Sequence, residues 1–293
     1  MTSGAAVWID TDMGVDDIHA VIALMAHRPV AGLSLAFGCA ALPCAVRNAV
    51  GAAEAFGWTC PVFAGAGRPV LGRAETAERI LGPRGLPTRG RMLPEVGGAL
   101  PPALPALAAW AGTGGPLLAL GPLTNLAAMA LAHPDAALPP IVWMGGALGR
   151  GNHTEHAEFN AFADPLALAI LLDRGADLTM VDLDACRRVR LVEQDLSAIA
   201  DPLLADLLGG YLDIGLSRGR DHMALYDPVA AAALAAPGLF AFRTIRMRVD
   251  TSDAPTRGAT RIAGDGWPVR VVADLDAEAV RDWCLAPLGR VPA

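Results

Sequence analysis

Short apolar runs alternate with longer segments of helical periodicity over the first two thirds of the chain. The runs predicted as buried strands are AAVWI at residues 5–9, LSLAFG at 33–38, CPVFAG at 60–65, PLLALG at 116–121, IVWMGG at 141–146 and LTMVDLD at 178–184. The helical segments between them are IHAVIALMAH at 18–27, AVRNAVGAAEAFG at 45–57, LTNLAAMALAH at 123–133 and DPLALAILLDRG at 164–175. This alternation predicts an α/β protein with a mostly parallel sheet.

The last third of the chain has a different pattern. Helices are predicted around LLADLLGGYLDIGL and PVAAAALAA, whereas RTIRMRVD and RIAG alternate like antiparallel strands and VRVVADLD follows them. Residues 65–105, rich in Gly, Pro and Arg, are predicted to form a long loop excursion of the kind that often serves function. No stretch has the composition of a linker. We therefore predict a single domain over residues 1–293, with a mixed, mostly parallel central sheet and helices on both faces.

Composition narrows the classes of function. Hydrophobic residues make up 53% of the chain and aromatic residues only 5%, which predicts a large core of Ala, Leu and Val. The net charge of −7 argues against nucleic-acid binding, and no apolar run approaches the roughly 18 residues of a membrane span. The 5 cysteines form no CxxC pair, and the N-terminus lacks a secretory signal pattern. We expect a cytoplasmic protein with no membrane partner, disulfide framework or structural zinc.

The segment IDTDMGVDD places the carboxylates of Asp10, Asp12, Asp16 and Asp17 directly behind the first apolar run. Carboxylates this close raise one another's pKa unless a positive charge compensates, so we expect a bound cation or a coupled acid/base site. Such an oxygen-rich cluster suits Ca²⁺ or Mg²⁺, although its spacing differs from that of an EF-hand. The alternative is structural: Gly14 makes a turn, one aspartate caps the next helix and the others are solvated.

Four polar segments each follow a predicted strand. They are DTDMGVDD, FGCA, GPLTN and MGGALGRGN. In open α/β sheets, ligands bind outside the carboxyl ends of the strands. We therefore expect these segments to meet at one rim of the sheet and to form a ligand site there.

The same segments resemble, in order, the motifs of the inosine–uridine-preferring nucleoside hydrolases. IDTDMGVDD is similar to the DTDPGxDD signature of that family. The other similar blocks are LALGPLTNLA, IVWMGGALGRGNHTEHAEFNAFADP, ALYDPVA and TRGAT, and together the blocks span residues 7–260. The acidic run alone would also resemble phosphatases of the haloacid dehalogenase type. The later blocks favour the nucleoside hydrolases.

The resemblance implies a Rossmann-like nucleoside hydrolase fold. It also implies Ca²⁺-dependent hydrolysis of the N-glycosidic bond of ribonucleosides, which gives ribose and a free purine or pyrimidine base. The implied calcium ligands are Asp12, Asp17, the Thr124 backbone carbonyl and Asp227, with Asp10 bracing them from behind. Asp12 would act as general base on a water held by the ion.

Four further residues are implied to hold the ribose. They are Asp16, Asn152, Glu158 and Asn160. Several motif residues also have structural alternatives: Thr124–Asn125 and Asp227 would suit helix caps, and Asn152 would suit a loop turn. We interpret Asp164, which precedes a proline, as a helix cap only.

The chain departs from the family pattern at three positions. Cys39 stands where the family has a ribose-binding asparagine, and we expect it to line the pocket. Tyr226 stands where some members have a histidine that protonates the leaving base, so it would donate a proton or stack on the base, or else be a core-edge aromatic. Leu81 replaces a histidine that would supply a second contact to the leaving group. His222 is then a candidate for closing over the base, with an exposed loop histidine as the alternative.

Three functions stay open at this point. The first is nucleoside hydrolysis in nucleoside salvage, with purine or pyrimidine preference undecided. The second is hydrolysis of a related ribosyl N-glycoside, which the changes at Cys39 and Tyr226 would favour. The third is a non-catalytic, metal-dependent ribose or nucleoside binder, which would need Asp12 less than an enzyme does. The resemblance also implies a homo-oligomer, either a dimer or a tetramer.

Overall fold

The computed structural model describes residues 4–289, in which strands and helices alternate much as the hydrophobic pattern predicts. The strands are β1 (Val7–Thr11), β2 (Val30–Leu35), β3 (Val62–Ala64), β4 (Leu117–Ala119), β5 (Ile141–Met144), β6 (Leu178–Val181), β7 (Arg190–Leu191), β8 (Met223–Ala224), β9 (Phe240–Val249), β10 (Thr260–Ile262) and β11 (Trp267–Leu275). The α-helices are α1 (Val15–Met25), α2 (Leu42–Phe56), α3 (Glu78–Leu81), α4 (Ala103–Ala111), α5 (Thr124–Ala132), α6 (Phe159–Ala163), α7 (Pro165–Asp173), α8 (Leu183–Cys186), α9 (Glu193–Leu196), α10 (Pro202–Ser217), α11 (Asp227–Ala235) and α12 (Ala277–Leu285). Two 3₁₀ turns span Pro237–Leu239 and Ala286–Gly289.

A nine-stranded sheet runs in the order β10–β9–β11–β6–β5–β4–β1–β2–β3. Neighbouring strands in it are parallel except for the two pairs that involve β9. This confirms the predicted mixed, mostly parallel sheet and the antiparallel pairing expected of RTIRMRVD with RIAG. Because β2 and β4 flank β1 on opposite sides, the chain order reverses at β1. The carboxyl ends of β1 and β4 therefore border the crevice in which open α/β sheets bind ligands.

Helices cover both faces of the sheet, so the central strands are buried on both sides. All five residues of β1 are buried. On one face α1 packs against α11, where Leu24 shares a core cluster with Ala230. On the other face α4, α5 and α7 surround Trp143 and Leu168. The core is built largely of Ala, Leu and Val, as the composition predicts.

The predicted excursion over residues 65–105 contains only the one-turn helix α3 before α4 begins. Ion pairs of Arg89 join this excursion to α9 and α10. The Arg89 guanidinium donates to the carboxylates of Glu193 and Asp213 at distances between 2.7 and 3.0 Å. Gly209 of α10 permits this approach, because an added Cβ there would lie 2.7 Å from Arg89 Cδ. The excursion is thereby fixed across the helix that reaches the site described below.

Some element ends differ from the prediction. The strand expected over residues 178–184 ends at Val181, because the Asp182 carboxylate accepts the Ala185 N–H at 3.1 Å and caps α8. The second strand ends at Leu35, which leaves the following residues free to turn toward the end of β1. The short β7–β8 ribbon was not predicted. Within the described residues, every helix is too short or too polar to cross a membrane.

Candidate active site

The acidic segment lies at the carboxyl end of β1, and hydrogen bonds join it to the ends of the neighbouring strands. The backbone N–H of Cys39, which follows β2, donates to Asp12 Oδ2 at 2.7 Å. The side-chain amide of Asn125, which follows β4, donates to Asp10 Oδ1 at 2.7 Å. Three of the four predicted polar segments thus meet at the point where the strand order reverses.

Asp10 lies behind the cluster, in the sheet itself. Its Oδ1 accepts hydrogen bonds from the Ser34 hydroxyl of β2 and from the Asn125 amide. Its Oδ2 is buried and has no hydrogen-bond partner within residues 4–289. Burial raises the pKa of Asp10 to about 7, although the two donors act against that rise. Among the described residues, Asp10 belongs to neither of the two groups of mutually close ligand atoms described below.

Asp12, Asp17 and Cys39 form the first of these groups, in which one ligand atom from each residue lies within 4.8 Å of the others. Burial and the neighbouring carboxylates of Asp17 and Asp16 raise the pKa of Asp12 well above its usual range. Gly38 is required beside it, because a Cβ at that position would lie 1.9 Å from Asp12 Oδ2. The Asp12 carboxylate therefore packs directly against the backbone of Gly38, where no side chain intervenes.

The turn between Asp12 and α1 contains one residue, Met13, in the left-handed backbone conformation. Met13 has φ 55°, which is uncommon for a residue with a side chain, and it is fully buried. The Asn48 amide donates to the Met13 carbonyl at 3.1 Å. Asp17 accepts the Gly14 N–H at 2.8 Å and the Thr11 hydroxyl at 2.5 Å. These bonds fix the direction in which Asp17 faces the cluster.

Asp16, Asp17 and Asp227 form the second group of mutually close ligand atoms. Asp227 is the first residue of α11 and is 3% exposed. Its carboxylate lies beside those of Asp16 and Asp17, and its contact with Asp17 contributes to its raised pKa. Burial raises the pKa of Asp16 to about 7, and burial followed by the neighbouring carboxylates raises that of Asp227 well above its usual range. Asp17 belongs to both groups.

The donor set fits a hard divalent cation. Four carboxylates, those of Asp12, Asp16, Asp17 and Asp227, lie close together in the two groups, and burial and mutual repulsion raise the pKa values of Asp12, Asp16 and Asp227. A cation among them would relieve that repulsion, and carboxylate oxygens are the ligands that calcium prefers. The implied calcium ligands are divided between the two groups. Asp12 belongs to the first group and Asp227 to the second, and Asp17 belongs to both.

Thr124 and Asn125 do not cap α5, so that structural alternative is wrong. The Thr124 hydroxyl donates to Asp164 Oδ2 at 2.7 Å, and the residue before α5, Leu123, makes no side-chain cap. Asn125 instead accepts the Ala66 N–H at 2.7 Å and binds Asp10. Asp164 accepts the Ala167 N–H at 3.0 Å, which confirms that it caps α7.

The loop after β5 brings the predicted ribose residues to the same rim. Glu158 is buried and accepts the N–H groups of Asn160 at 2.7 Å and Gly146 at 2.9 Å. The Asn160 amide donates to the carbonyls of Leu120 and Met144, at the ends of β4 and β5. Because both donors are used in this way, only the Asn160 Oδ1 is left to face a ligand.

Asn152 differs from Glu158 and Asn160 in its solvent exposure, since those two residues are buried. It is exposed, and its Oδ1 accepts the Phe159 N–H at 3.0 Å. This contact agrees with the structural alternative of a loop residue. It also keeps the side chain next to the start of α6, where Glu158 is placed.

Tyr226, His222 and Leu81, which the sequence analysis considered for contact with the leaving base or its loss, lie in three different environments. Tyr226 lies in the N-cap position of α11, directly before Asp227, without a side-chain cap hydrogen bond, and burial raises the pKa of its phenol. His222 pairs through Nδ1 with Asp221 Oδ1 at 2.6 Å rather than with the clustered carboxylates. Leu81 ends α3 and packs against the core, so it serves a packing role.

One residue at the site escaped the sequence analysis. Tyr211 of α10 is 3% exposed and donates its hydroxyl to Asp16 Oδ2 at 2.8 Å. It lies 195 residues from Asp16 in the chain, so no local motif connects the two. The only signal was a lone tyrosine in a helix of leucines and glycines.

The raised pKa of Glu158 gives a testable dependence of stability on pH. Burial raises it from 4.5 to about 7, so the folded protein keeps this proton where the unfolded chain has lost it. The stabilisation is complete below pH 4.5 and is lost as the pH rises through about 7. Relative to a Glu158→Gln variant, the wild type should therefore lose up to about 3 kcal/mol of unfolding free energy over that interval.

Urea unfolding of both proteins across this pH range measures the difference. Glu155→Gln is the matched control, since Glu155 lies in the same loop but is exposed. The control variant should follow the wild-type pH profile. Parallel profiles for wild type and Glu158→Gln would contradict the assignment of this raised pKa to Glu158.

Comparison with known proteins gives consistent matches. A family model described as "Inosine-uridine preferring nucleoside hydrolase" matches residues 7–282. The chain is 28% identical over 313 residues to the non-specific ribonucleoside hydrolase RihC of Salmonella typhi, and the match covers 100% of each chain. The solved structure of a plant nucleoside hydrolase, the PpNRh1 enzyme, has a TM-score of 0.90 at 26% identity and covers 98% of this chain and 99% of its own. A purine-preferring ribonucleoside hydrolase from Gardnerella vaginalis has the same fold, with a TM-score of 0.88, 24% identity and coverage of 97% and 98%.

Proposed function

The chain belongs to the inosine–uridine preferring nucleoside hydrolase family, and from this we propose that it hydrolyses the N-glycosidic bond of ribonucleosides with calcium as its cofactor. The observation that carries the proposal is the two groups of mutually close ligand atoms, with four carboxylates between them, that share Asp17 at the reversal of the strand order. The likeness to named ribonucleoside hydrolases over the full chain supports the reaction class. The products would be ribose and a free purine or pyrimidine base.

Asp12, Asp17 and Asp227 would hold the calcium ion, with the Thr124 carbonyl as a further oxygen ligand. When bound, calcium neutralises the carboxylates and lowers the pKa of a water in contact with it. Calcium takes six to eight oxygen ligands, so water and ribose hydroxyls would complete the set. Asp10 would keep this arrangement rigid through its bonds to Ser34 and Asn125.

Asp12 is the proposed general base. Its Oδ2 accepts the Cys39 N–H at 2.7 Å, which orients the carboxylate. The other oxygen, Oδ1, would take the proton of the attacking water.

The ribose would be held by Asp16, Glu158, Asn160 and Asn152. Asp16 is oriented by the Tyr211 hydroxyl, and Glu158 is oriented by backbone N–H groups. Such preorganisation keeps the anomeric carbon beside the attacking water without further loss of entropy on reaction. Cys39 lies beside Asp12, where it would line the same pocket.

Tyr226 is the proposed proton donor to the departing base. Burial raises the pKa of its phenol above 10, so it is protonated at neutral pH. It directly precedes Asp227 at the start of α11, which places it next to the carboxylates. His222 is the second candidate, and its Nδ1 pairs with Asp221 Oδ1 at 2.6 Å.

Release of reducing sugar from a panel of purine and pyrimidine ribonucleosides tests the proposal. Ribose release that requires calcium is the expected result, and the rates across the panel define the base preference. Activity confined to other ribosyl N-glycosides would favour the second function considered from the sequence. Binding of calcium and nucleoside without ribose release would identify a binder rather than an enzyme.

We also propose, from the family resemblance, a cytoplasmic homo-oligomer of two or four copies that serves nucleoside salvage. Light scattering of the purified protein tests the oligomeric state. A monomer would contradict this part of the proposal without affecting the catalytic assignment.

A Tyr211→Phe variant should weaken substrate binding more than it slows turnover. The change removes only the hydroxyl that donates to Asp16 at 2.8 Å. Hydrogen bonds to charged groups contribute about 1.5–3 kcal/mol, so KM should rise by roughly 10- to 100-fold. If Asp16 binds a ribose hydroxyl in ground and transition states alike, kcat should change less.

Tyr226→Phe supplies the contrast, since these are the chain's 2 tyrosines. Loss of the proposed proton donor should lower kcat, with KM less affected. A Tyr211→Phe enzyme with unaltered KM would show that Asp16 does not depend on this hydroxyl.

A further inference from the structure

Arg89 joins the excursion to α9 and α10 through paired contacts on two carboxylates. Its guanidinium makes two hydrogen bonds to Glu193, at 2.7 and 2.8 Å, and two to Asp213, at 2.7 and 3.0 Å. A guanidinium presents its donors in a planar fork, which gives such contacts a defined direction as well as a distance. Arg89 therefore fixes both the spacing and the angle between the excursion and α10.

The backbone around Arg89 packs closely on the same helix. Asp206 Oδ1 accepts the Arg89 N–H at 2.9 Å. Gly210 leaves room for the excursion, because an added Cβ there would lie 2.4 Å from the Thr88 nitrogen. Asp206, Gly210 and Asp213 follow one another at spacings of four and three residues, which places them on one face of α10. Side chain and backbone of the excursion thus bind the same face.

Tyr211 connects this helix with the proposed ribose subsite. It lies two residues before Asp213 in α10 and donates its hydroxyl to Asp16 Oδ2 at 2.8 Å. A hydrogen bond weakens steeply when its distance and angle depart from the preferred values. The position of α10 therefore decides whether the Tyr211 hydroxyl reaches Asp16.

The same excursion is attached to the turn before α1. The Asn48 amide donates to the Arg84 carbonyl of the excursion at 2.9 Å and to the Met13 carbonyl of the turn at 3.1 Å. Asp16 follows in the first turn of α1. The excursion therefore bridges the two elements that the bond between Tyr211 and Asp16 also joins.

We propose that Arg89 is a positioning residue for the ribose subsite, because it holds α10 where the Tyr211 hydroxyl meets Asp16. The inference rests on the proposed function, which assigns Asp16 to the ribose. Leu207 and Leu208 of α10 are buried in the core, so a change at Arg89 should leave the protein folded. Its effect should be a displaced hydroxyl and weaker binding of the substrate.

An Arg89→Met variant tests the proposal, with Arg91→Met as its matched control. Methionine keeps an unbranched side chain beside Gly209 but cannot bind the two carboxylates, and Arg91 is an exposed arginine of the same segment. KM for the ribonucleoside should rise by about 3- to 10-fold in Arg89→Met, with kcat changed less, and should stay at the wild-type value in Arg91→Met. Arg89→Lys keeps the charge without the planar fork, so its KM should lie between those of the wild type and Arg89→Met.

A double-mutant cycle with Tyr211→Phe distinguishes positioning from general destabilisation. If Arg89 acts through the Tyr211 hydroxyl, Arg89→Met should raise KM by less than about 2-fold once that hydroxyl is absent. Equal effects of Arg89→Met in the two backgrounds would overturn the inference, even if the change lowers the Tm.

A spectroscopic measurement keeps the test independent of catalysis. The chain has 2 tyrosines, so a Tyr226→Phe background retains Tyr211 alone. With ring-labelled tyrosine, its NMR signal should shift on Arg89→Met and stay in place on Arg91→Met. A signal that Arg89→Met leaves in place overturns the inference whatever the hydrolase assay shows. If the wild type releases no ribose but the signal shifts, the placement of Tyr211 by Arg89 is supported and the proposed function is contradicted.

Discussion

An Asp12→Asn variant is expected to lose ribose release by a factor of about 10²–10⁴ at saturating calcium. Asparagine has nearly the same shape and keeps an oxygen for the Cys39 N–H, so the loop should retain its structure. The variant lacks the proton acceptor and one negative charge beside Asp17. Because proton transfer belongs to the transition state, kcat should fall more than KM rises. Steady-state sugar release, with calcium content measured alongside, provides the test.

Asp173→Asn is the control for this variant. Asp173 is an exposed aspartate at the end of α7, far from the cluster in the sequence, and its change should leave kcat unaltered. General-base catalysis contributes at least about 10², so an Asp12→Asn enzyme that keeps a tenth of wild-type kcat would refute Asp12 as the base. Loss of calcium from the variant would instead assign Asp12 to metal binding.

The sequence predicts the sheet and its rim because both depend on local pattern. Apolar runs and helical periodicity locate most strands and helices, and parallel strands bring their carboxyl ends to one edge. The acidic segment is visible for the same reason, since its carboxylates are adjacent in the chain. Its repulsion predicts a cation without knowledge of the fold.

The remaining contacts depend on residues distant in the chain. Tyr211 reaches Asp16 because the excursion and α10 pack over the site, which hydrophobic pattern does not encode. The same holds for Asn125, whose position at a helix start suggests a cap but whose amide binds Asp10 across the sheet. In both cases the side chain forms its hydrogen bond with a carboxylate that is distant in the chain, rather than with the neighbouring backbone.

Chelation of divalent cations is expected to make the protein less stable and inactive. In the metal-free protein the buried carboxylates of Asp12, Asp17 and Asp227 and the half-buried carboxylate of Asp16 lie close together, and their repulsion acts in the folded state only. A ligand at about 100 times its Kd stabilises by about 2.7 kcal/mol, which for a chain of this length shifts the Tm by about 4 °C. Calorimetry with and without chelator, followed by calcium addition, measures the shift and its reversal.

Two variants identify the origin of this shift. Asp227→Asn removes one buried carboxylate of the cluster, so the metal-free variant should be relieved of repulsion and respond less to calcium. Asp173→Asn should keep the full response, because its carboxylate is exposed. If metal analysis shows complete removal and the wild-type Tm is unchanged, no cation compensates the cluster. The carboxylates would then have to be neutral by protonation, as their raised pKa values allow.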